Sequence, residues 1–289
     1  MGILKRLFIF IGILIVCSTI SYGLLFFIFP DALNKHERFE AAMRTNFAFV
    51  LSTQIALLLG LIVAIKLQPH LTSRKNPERT IPVLNFRGFF AGSVYGLVII
   101  SITAIALVLL GQVRFHYDQF SFHLVQYALL LLIAAYSEEL LCRGYIFRML
   151  NQQIDKFPAL LISSTFFVLL HGLNASLTLT GVANLFLSGV LFTVVYTASK
   201  NDLSVPTGLH FMWNFLQGPI LGFRVSGLGI DGVFKVTERS SILSGGGFGL
   251  EGSLVTTAFL LIAVVGTLWV QRHSHRKFSS AAASERSAL

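Results

Sequence analysis

Long apolar runs separated by short polar breaks set the pattern of this chain. Eight runs lie at roughly 7–29, 47–67, 89–110, 122–142, 157–173, 181–199, 204–221 and 253–270. A helix that crosses a bilayer needs about 20 mostly apolar residues. The fifth and seventh runs are short and carry polar residues; the other six are unambiguous in length. The pattern predicts an all-α, polytopic membrane bundle of about eight transmembrane helices, and no soluble domain fits between them.

The breaks divide the chain further. Residues 1–119 hold three helices and their loops, and the 68–88 break contains the helix-interrupting Pro69, Pro77 and Pro82. Residues 120–221 hold the next four helices, where the unusual polar residues concentrate. The 222–252 segment, with nine glycines, is expected outside the membrane as a mobile loop or a cap. The last transmembrane helix follows at 253–271. The 272–289 tail, basic and then rich in Ser and Ala, reads as disordered. No internal repeat is visible, which counts against a transporter built from duplicated halves.

Composition agrees with the runs: 54% of residues are hydrophobic, 12% are charged, and the mean hydropathy is +0.75. The net charge of +9 could suggest nucleic acid, but its placement reports topology instead. With eight spans and both termini cytoplasmic, the inner side carries 15 Lys and Arg and the outer side seven. The inner set includes Lys5, Arg74, Lys75, Arg79, Arg143, Arg148 and Arg272; the outer set is Lys35, Arg38, Arg44, Arg114, Arg224, Lys235 and Arg239. That is the asymmetry of the positive-inside rule, and it points to a multi-pass protein of the cell membrane. No mixed aromatic and basic patch argues for a nucleic-acid partner. The first run is too long for a cleaved signal and reads as a retained signal anchor. Cys17 and Cys142 read as small buried hydrophobes, not as a disulfide.

Candidate chemistry begins in the fourth run, at Tyr136-Ser137-Glu138-Glu139-Leu140-Leu141-Cys142-Arg143. A charged side chain at the bilayer centre costs roughly 2.5–3.5 kcal/mol on insertion scales, so two carboxylates and an arginine there need partners or a task. On an α-helix Glu139 and Arg143 stack one turn apart, acid before base, as a favourable pair. Glu138 points about 140° away from Arg143 by the same geometry. It is thereby left to face a cavity, where a positioned carboxylate can act as general base. An ion cluster at the inner helix end accounts equally for the three residues taken alone.

Two more helices carry paired polar or aromatic positions one turn apart, Phe167 with His171 and His210 with Asn214. A single intramembrane His can simply be an interhelical hydrogen-bond partner. Two of them beside a carboxylate pair suit hydrolysis: a base for water, an imidazole to orient it, donors for an oxyanion. They also suit a zinc held by two His and one carboxylate with an open position, although no HExxH is present. Ser137, Gln126 and Asn184 read as helix–helix glue. His36, His70, His116, His123, His273 and His275 read as solvated, and Trp213 and Trp269 as packing or interfacial anchors.

Glu138-Glu139-x-x-x-Arg143, Phe167-x-x-x-His171 and His210-x-x-x-Asn214, in that order and with 33 residues from Glu138 to His171, resemble the three-part signature of the CPBP family. These are intramembrane proteases related to the type II CAAX prenyl endopeptidase, also called the ABI group. The resemblance covers about 120–220 with no departure at the six signature positions. It implies an eight-helix fold with a cavity open to the cytosolic side and the lipid. Glu138 is then the water-activating base and His171 its partner in orienting that water. His210 and Asn214 stabilise the oxyanion, with Glu139 and Arg143 supporting. An older label for the family is metalloprotease. No tightly bound metal is expected here, because Glu138 and Glu139 cannot address one ion alike. A loosely held zinc on Glu138, His171 and His210 stays open.

The leading expectation is an intramembrane endopeptidase acting near the cytosolic face on a membrane-anchored peptide or protein, by CAAX-type or leader and tail processing. An ion-coupled transporter using Glu138, Glu139, Arg143 and His171 as a relay is the alternative from another class. A non-proteolytic membrane scaffold and a b-type haem protein ligated by His171 and His210 complete the set. Proton flux without peptide cleavage, or a Soret band, would favour the first or last of these.

Overall fold

The computed structural model describes residues 3–28, 47–72, 81–120 and 122–287. The helices are α1 (Ile3–Ile28), α2 (Phe47–Thr72), α3 (Phe86–Leu109), α4 (His123–Glu139), α5 (Lys156–Leu170), α6 (Leu179–Ala198), α7 (Ser204–Phe215) and α8 (Leu254–Ser287). Each expected apolar run is therefore helical. Among the described residues, five helices are long and apolar enough to cross a membrane, those beginning at Phe47, Phe86, His123, Leu179 and Leu254. The two short runs give the two short helices, α5 with 15 residues and α7 with 12.

Four features depart from the sequence reading. α2 runs on through Pro69 to Thr72. α4 does not stop near Cys142: it continues as a π-helix, Leu140–Phe147, and then as α-helix over Arg148–Asn151. Arg143 is accordingly buried inside the bundle and is no inner-surface charge. The tail expected to be disordered carries α8 on to Ser287, in keeping with the strong helix formers Ala281, Ala282 and Ala283. Lys35, His36, Arg38, Arg44, Arg74, Lys75, Pro77 and Arg79 lie outside the described residues.

The fourth departure is a two-stranded antiparallel sheet, β1 (Val113–Tyr117) with β2 (Phe234–Glu238), in which Phe115 pairs with Val236. It ties the α3–α4 connection to the 222–252 segment. That segment is a packed cap, with Phe223, Val225, Ile230, Phe248 and Leu250 buried. Its glycines serve close approach. Gly227 and Gly249 hold φ of +88° and +89°, and a Cβ there would stand 2.1 and 1.8 Å from the carbonyl oxygens of Ala175 and Arg224. Only glycine meets both demands cheaply.

The helix seam that positions the site is α3 against α7. Gly88, Gly92 and Gly96 recur every four residues along one face of α3. A Cβ at Gly92 would lie 1.9 Å from the Val205 oxygen, and one at Gly208 2.0 Å from the Phe89 oxygen. Small residues in membrane helices let backbones touch, and dispersion then does the packing. The seam is pinned at one end by polar groups. Asn85 caps α3 by accepting from the Gly88 amide at 2.7 Å and donates to Asp202 at 2.7 Å and Ser204 at 3.0 Å. Burial pushes the Asp202 carboxyl upward, but the hydrogen bonds from Asn85 and Ser204 outweigh it and hold the group below its ordinary value.

Candidate active site

α4 supplies both carboxylates and the arginine, and the π-helix begins directly after Glu139. A π-stretch inside an α-helix carries an extra residue per turn and re-aims the side chains around it. Here the Glu139–Arg143 pair spans the junction: Arg143 Nη1 donates to Glu139 Oε1 at 2.9 Å, both side chains fully buried. The rest of the guanidinium is satisfied by α6, through Nη2 to the Gly189 oxygen at 2.8 Å and Nε to Thr193 Oγ1 at 3.3 Å. Its carbon lies 4.8 Å from the Phe167 ring centre and 5.2 Å from that of Phe192. A buried ion pair repays its desolvation best when its polar atoms are satisfied; Glu139 Oε2 is buried without a partner, whereas each guanidinium nitrogen here has one. Gly189 lets it happen, because its Cβ would press within 2.9 Å of Ser164 on α5.

Glu139 Oε1 also lies 3.1 Å from Nδ1 of His210 on α7. His210 is held flat by Phe192, stacked at 5.0 Å, and edge-on by Phe167 at 5.6 Å. His171, at the C-cap of α5, turns Nδ1 to the Phe167 carbonyl at 2.9 Å. A carbonyl and an arginine-paired carboxylate can only accept, so each ring carries its hydrogen on Nδ1. In a neutral ring Nε2 is then the acceptor. Both Nε2 atoms face Glu138: its Oε2 lies 3.7 Å from His171 Nε2 and 3.9 Å from His210 Nε2. That oxygen is buried and no protein group hydrogen-bonds it, although the side chain as a whole is 28% exposed.

Glu138, His171 and Asn214 line a cavity of about 910 Å³. Its walls also include Gln54, Ala134, Asn174, Ser176, Arg224 and Ser226. All six residues singled out in the sequence thus meet: Glu138, His171 and Asn214 at the cavity, His210 just behind, and the buried Glu139–Arg143 pair beneath. His171, His210 and Asn214 also border a small void with Phe192, Trp213, Ser226 and Glu251.

Several residues here were not singled out by the sequence. Gly189 and Thr193 hold Arg143. Glu251 of the cap, buried, accepts from Gln217 at the end of α7 and from Ser226 Oγ at 3.1 Å. Burial raises the Glu251 carboxyl above its ordinary value, with the bonds from Gln217 and Ser226 offsetting part of that. Gln217 sits in a second π-stretch, Leu216–Ile220, around Pro219. Asn184 accepts from Thr257 Oγ1 of α8 at 2.7 Å, an interhelical bond, and donates to the Glu251 and Ser253 carbonyls at 2.8 Å each. Ser137 instead bonds the Ile133 carbonyl of its own helix, and Gln126 bonds the neighbouring His123.

Among the described residues no three His, Cys, Asp or Glu form a group that would hold a metal ion. The Glu138–His separations of 3.7 and 3.9 Å exceed the roughly 3.3 Å between ligands on a tetrahedral zinc with arms of about 2.0–2.1 Å. As placed, these three side chains do not fit the ion.

Fold and site together define a multi-pass helical membrane protein with a polar, carboxylate-containing centre inside the bundle. Residues 119–216, from the approach to α4 to the end of α7, match the family model described as type II CAAX prenyl endopeptidase Rce1-like. The six site residues fall within that stretch, whereas the cap and α8 lie beyond it. No curated protein and no solved structure matches the chain.

Proposed function

We propose that the protein is an intramembrane endopeptidase in which Glu138 activates water. The observation that carries this is the placement of a buried Glu138 oxygen, with no protein hydrogen-bond partner, opposite the Nε2 atoms of two imidazoles beside a cavity. Gaps of 3.7–3.9 Å are too long for direct hydrogen bonds and suit a bridging water. Such a water gives one hydrogen to Glu138 Oε2 and the other to His171 Nε2, which turns its lone pair toward the cavity.

A peptide carbonyl lying over that water is attacked by its oxygen as Glu138 takes the proton. The tetrahedral oxyanion receives a hydrogen bond from Asn214 Nδ2. Preorganised donors of this kind are worth about 10²–10³ in kcat. His210, its Nδ1 hydrogen committed to Glu139, is fixed in tautomer and orientation. The negative charge of Glu139, shared with Arg143, favours any positive charge that develops on the His210 ring. Collapse breaks the C–N bond, and Glu138 returns its proton to the leaving amine, giving a carboxylic acid, which keeps the second hydrogen of the water, and an amine.

Purified protein should cleave a membrane-tethered reporter peptide. Glu138→Gln and His171→Ala should each abolish turnover while the thermal unfolding transition in detergent persists. Undiminished cleavage in both variants would refute the assignment.

A further inference from the structure

Glu251 is a buried carboxylate that the mechanism above does not use. It stands in the cap, outside residues 119–216, yet both of its oxygens are bonded by residues that reach the site. Gln217 Nε2 donates to Oε2, and Ser226 Oγ donates to Oε1 at 3.1 Å. Gln217 lies three residues beyond Asn214, just past the end of α7. Ser226 lines the cavity together with Glu138, His171 and Asn214. Glu251 itself borders the small void with His171, His210, Asn214 and Ser226. Taking a carboxylate out of water is costly, so one kept in this place needs a task.

Ser226 shows what that task is. Its φ is +48° and that of Gly227 is +88°, two successive left-handed residues of the type I′ kind. The turn is closed by Val225 N to the Leu228 carbonyl at 2.9 Å and Leu228 N to the Val225 carbonyl at 2.8 Å. A serine is uncommon in the left-handed region, and its surroundings hold it there. Asn174 Nδ2 donates to the Ser226 carbonyl at 2.9 Å, and Arg224 Nη1 to the Gly227 carbonyl at 3.0 Å. The Ser226 hydroxyl is anchored by Glu251. Glu251 is firmly seated in turn: its main-chain carbonyl accepts from Asn184 of α6 at 2.8 Å, and Asn184 bonds Thr257 of α8. Gln217 closes the staple, because the nitrogen that meets Glu251 also donates to the Arg224 carbonyl at 2.6 Å.

We propose that Glu251 is a positioning residue of the active site, bridging the Asn214 end of α7 to the Ser226–Gly227 turn so that the two cavity walls keep one spacing. This role rests on the endopeptidase reading above. Glu251 touches no reacting atom; it acts through Ser226 on one side and Gln217 on the other. Loss of either half breaks the same bridge. A misplacement of about 1 Å caused away from the chemistry can cost about 10²-fold in rate. That loss falls on kcat, since the oxyanion donor Asn214 acts in the transition state. Glu251→Gln keeps the bridge, with the amide oxygen accepting from Gln217 and the amide nitrogen donating to the Ser226 hydroxyl oxygen. Glu251→Ala keeps neither bond.

The test uses the purified full chain in lipid nanodiscs and the membrane-tethered reporter peptide, below the unfolding temperature of every variant. Glu251→Ala should lower kcat about tenfold or more while KM moves less than about threefold, and Glu251→Gln should restore kcat to within about threefold of the parent. Ser226→Ala should cost about as much as Glu251→Ala. The two changes together should cost no more than about threefold beyond either one, because they break one bridge. Parental kcat in Glu251→Ala, an equal loss in Glu251→Gln, or losses at 251 and 226 that multiply would each overturn the role. Should Glu251→Ala not fold, Ser226→Ala decides: a tenfold loss of kcat supports the bridge and parental kcat overturns it. No cleavage by the parent overturns the endopeptidase reading and the role with it, whereas a cleaving parent with unaffected variants overturns the role alone.

Discussion

Glu139 Oε1 accepts from Arg143 at 2.9 Å and from His210 Nδ1 at 3.1 Å, so one buried oxygen ties an ion pair on α4 to an imidazole on α7. The carboxylate beside it in sequence has the reverse situation. Glu138 Oε2 is buried, unpartnered among protein groups, and turned to the cavity. Adjacent residues on one helix thus hold two different environments: Glu139 is fully enclosed, with Oε1 doubly bonded and Oε2 without a hydrogen-bond partner, and Glu138 borders the cavity.

The Glu139–Arg143 pair should show strong coupling. Arg143→Ala leaves a buried carboxylate uncompensated, and breaking such a pair from one side typically costs about 3–5 kcal/mol. Arg143→Met with Glu139→Gln should be less damaging than the sum of the single changes. A double-mutant cycle on thermal stability in detergent measures this. Additivity would mean that Gly189 and Thr193, not Glu139, account for what Arg143 contributes.

The α3–α7 seam should resist even a methyl group. Gly208→Ala and Gly92→Ala place a Cβ about 2 Å from backbone oxygens, and overpacking of this kind costs about 1–3 kcal/mol or more. Because α7 carries His210 and Asn214, cleavage should fall further than stability does. Gly266→Ala, with nothing within 4 Å of the new carbon, is the control and should leave both unchanged. Equal effects at positions 208 and 266 would show that the seam does not position the site.

Glu251 makes a prediction about pH. Its folded-state value is raised above the ordinary 4.5, so the fold favours the neutral acid. Its contribution to stability is whole below that ordinary value and declines as pH rises from there toward the raised value. Glu251→Gln, neutral throughout, should therefore gain on the parent as pH rises. Melting curves of parent and variant from about pH 4 to 8 test it. A difference that stays flat across the range would place Glu251 outside the titration of the cap.

Metal removal should leave cleavage intact if water is activated by Glu138 alone. Exhaustive chelation followed by assay and elemental analysis is the check. One zinc per chain, with activity lost to chelators and restored by zinc, would replace the mechanism with a metal-centred one on Glu138, His171 and His210.

Much of this was legible in the sequence, for identifiable reasons. Lipid demands long apolar helices, so the runs and their order could be read directly, down to the two short ones. The six polar site residues stood out because charge in an apolar run is costly. The π-stretch after Glu139 was hidden, since Leu140–Phe147 has an ordinary helical composition. The 222–252 segment stayed open between a mobile loop and a cap, because glycine signals looseness and close contact alike. Its strands did leave a trace: Val113-Arg-Phe-His-Tyr and Phe234-Lys-Val-Thr-Glu each alternate apolar and polar residues with period two. Glu251 and Gln217, far apart in sequence, had no local pattern to mark them.

The four-residue spacing of Glu139 and Arg143 matters before the protein is complete. In synthesis, α4 enters the membrane ahead of α5, α6 and α7, so His171, Gly189, Thr193 and His210 are not yet there to receive it. The one buried partnership this helix can form unaided is the pair it carries within itself. Insertion of each unpaired charge costs roughly 2.5–3.5 kcal/mol. With Glu139 and Arg143 joined, the nascent helix presents a single leftover charge, on Glu138, instead of three. The pair thus lowers the charge the helix must carry into the membrane alone, and Glu138 acquires its imidazole neighbours only when later helices arrive.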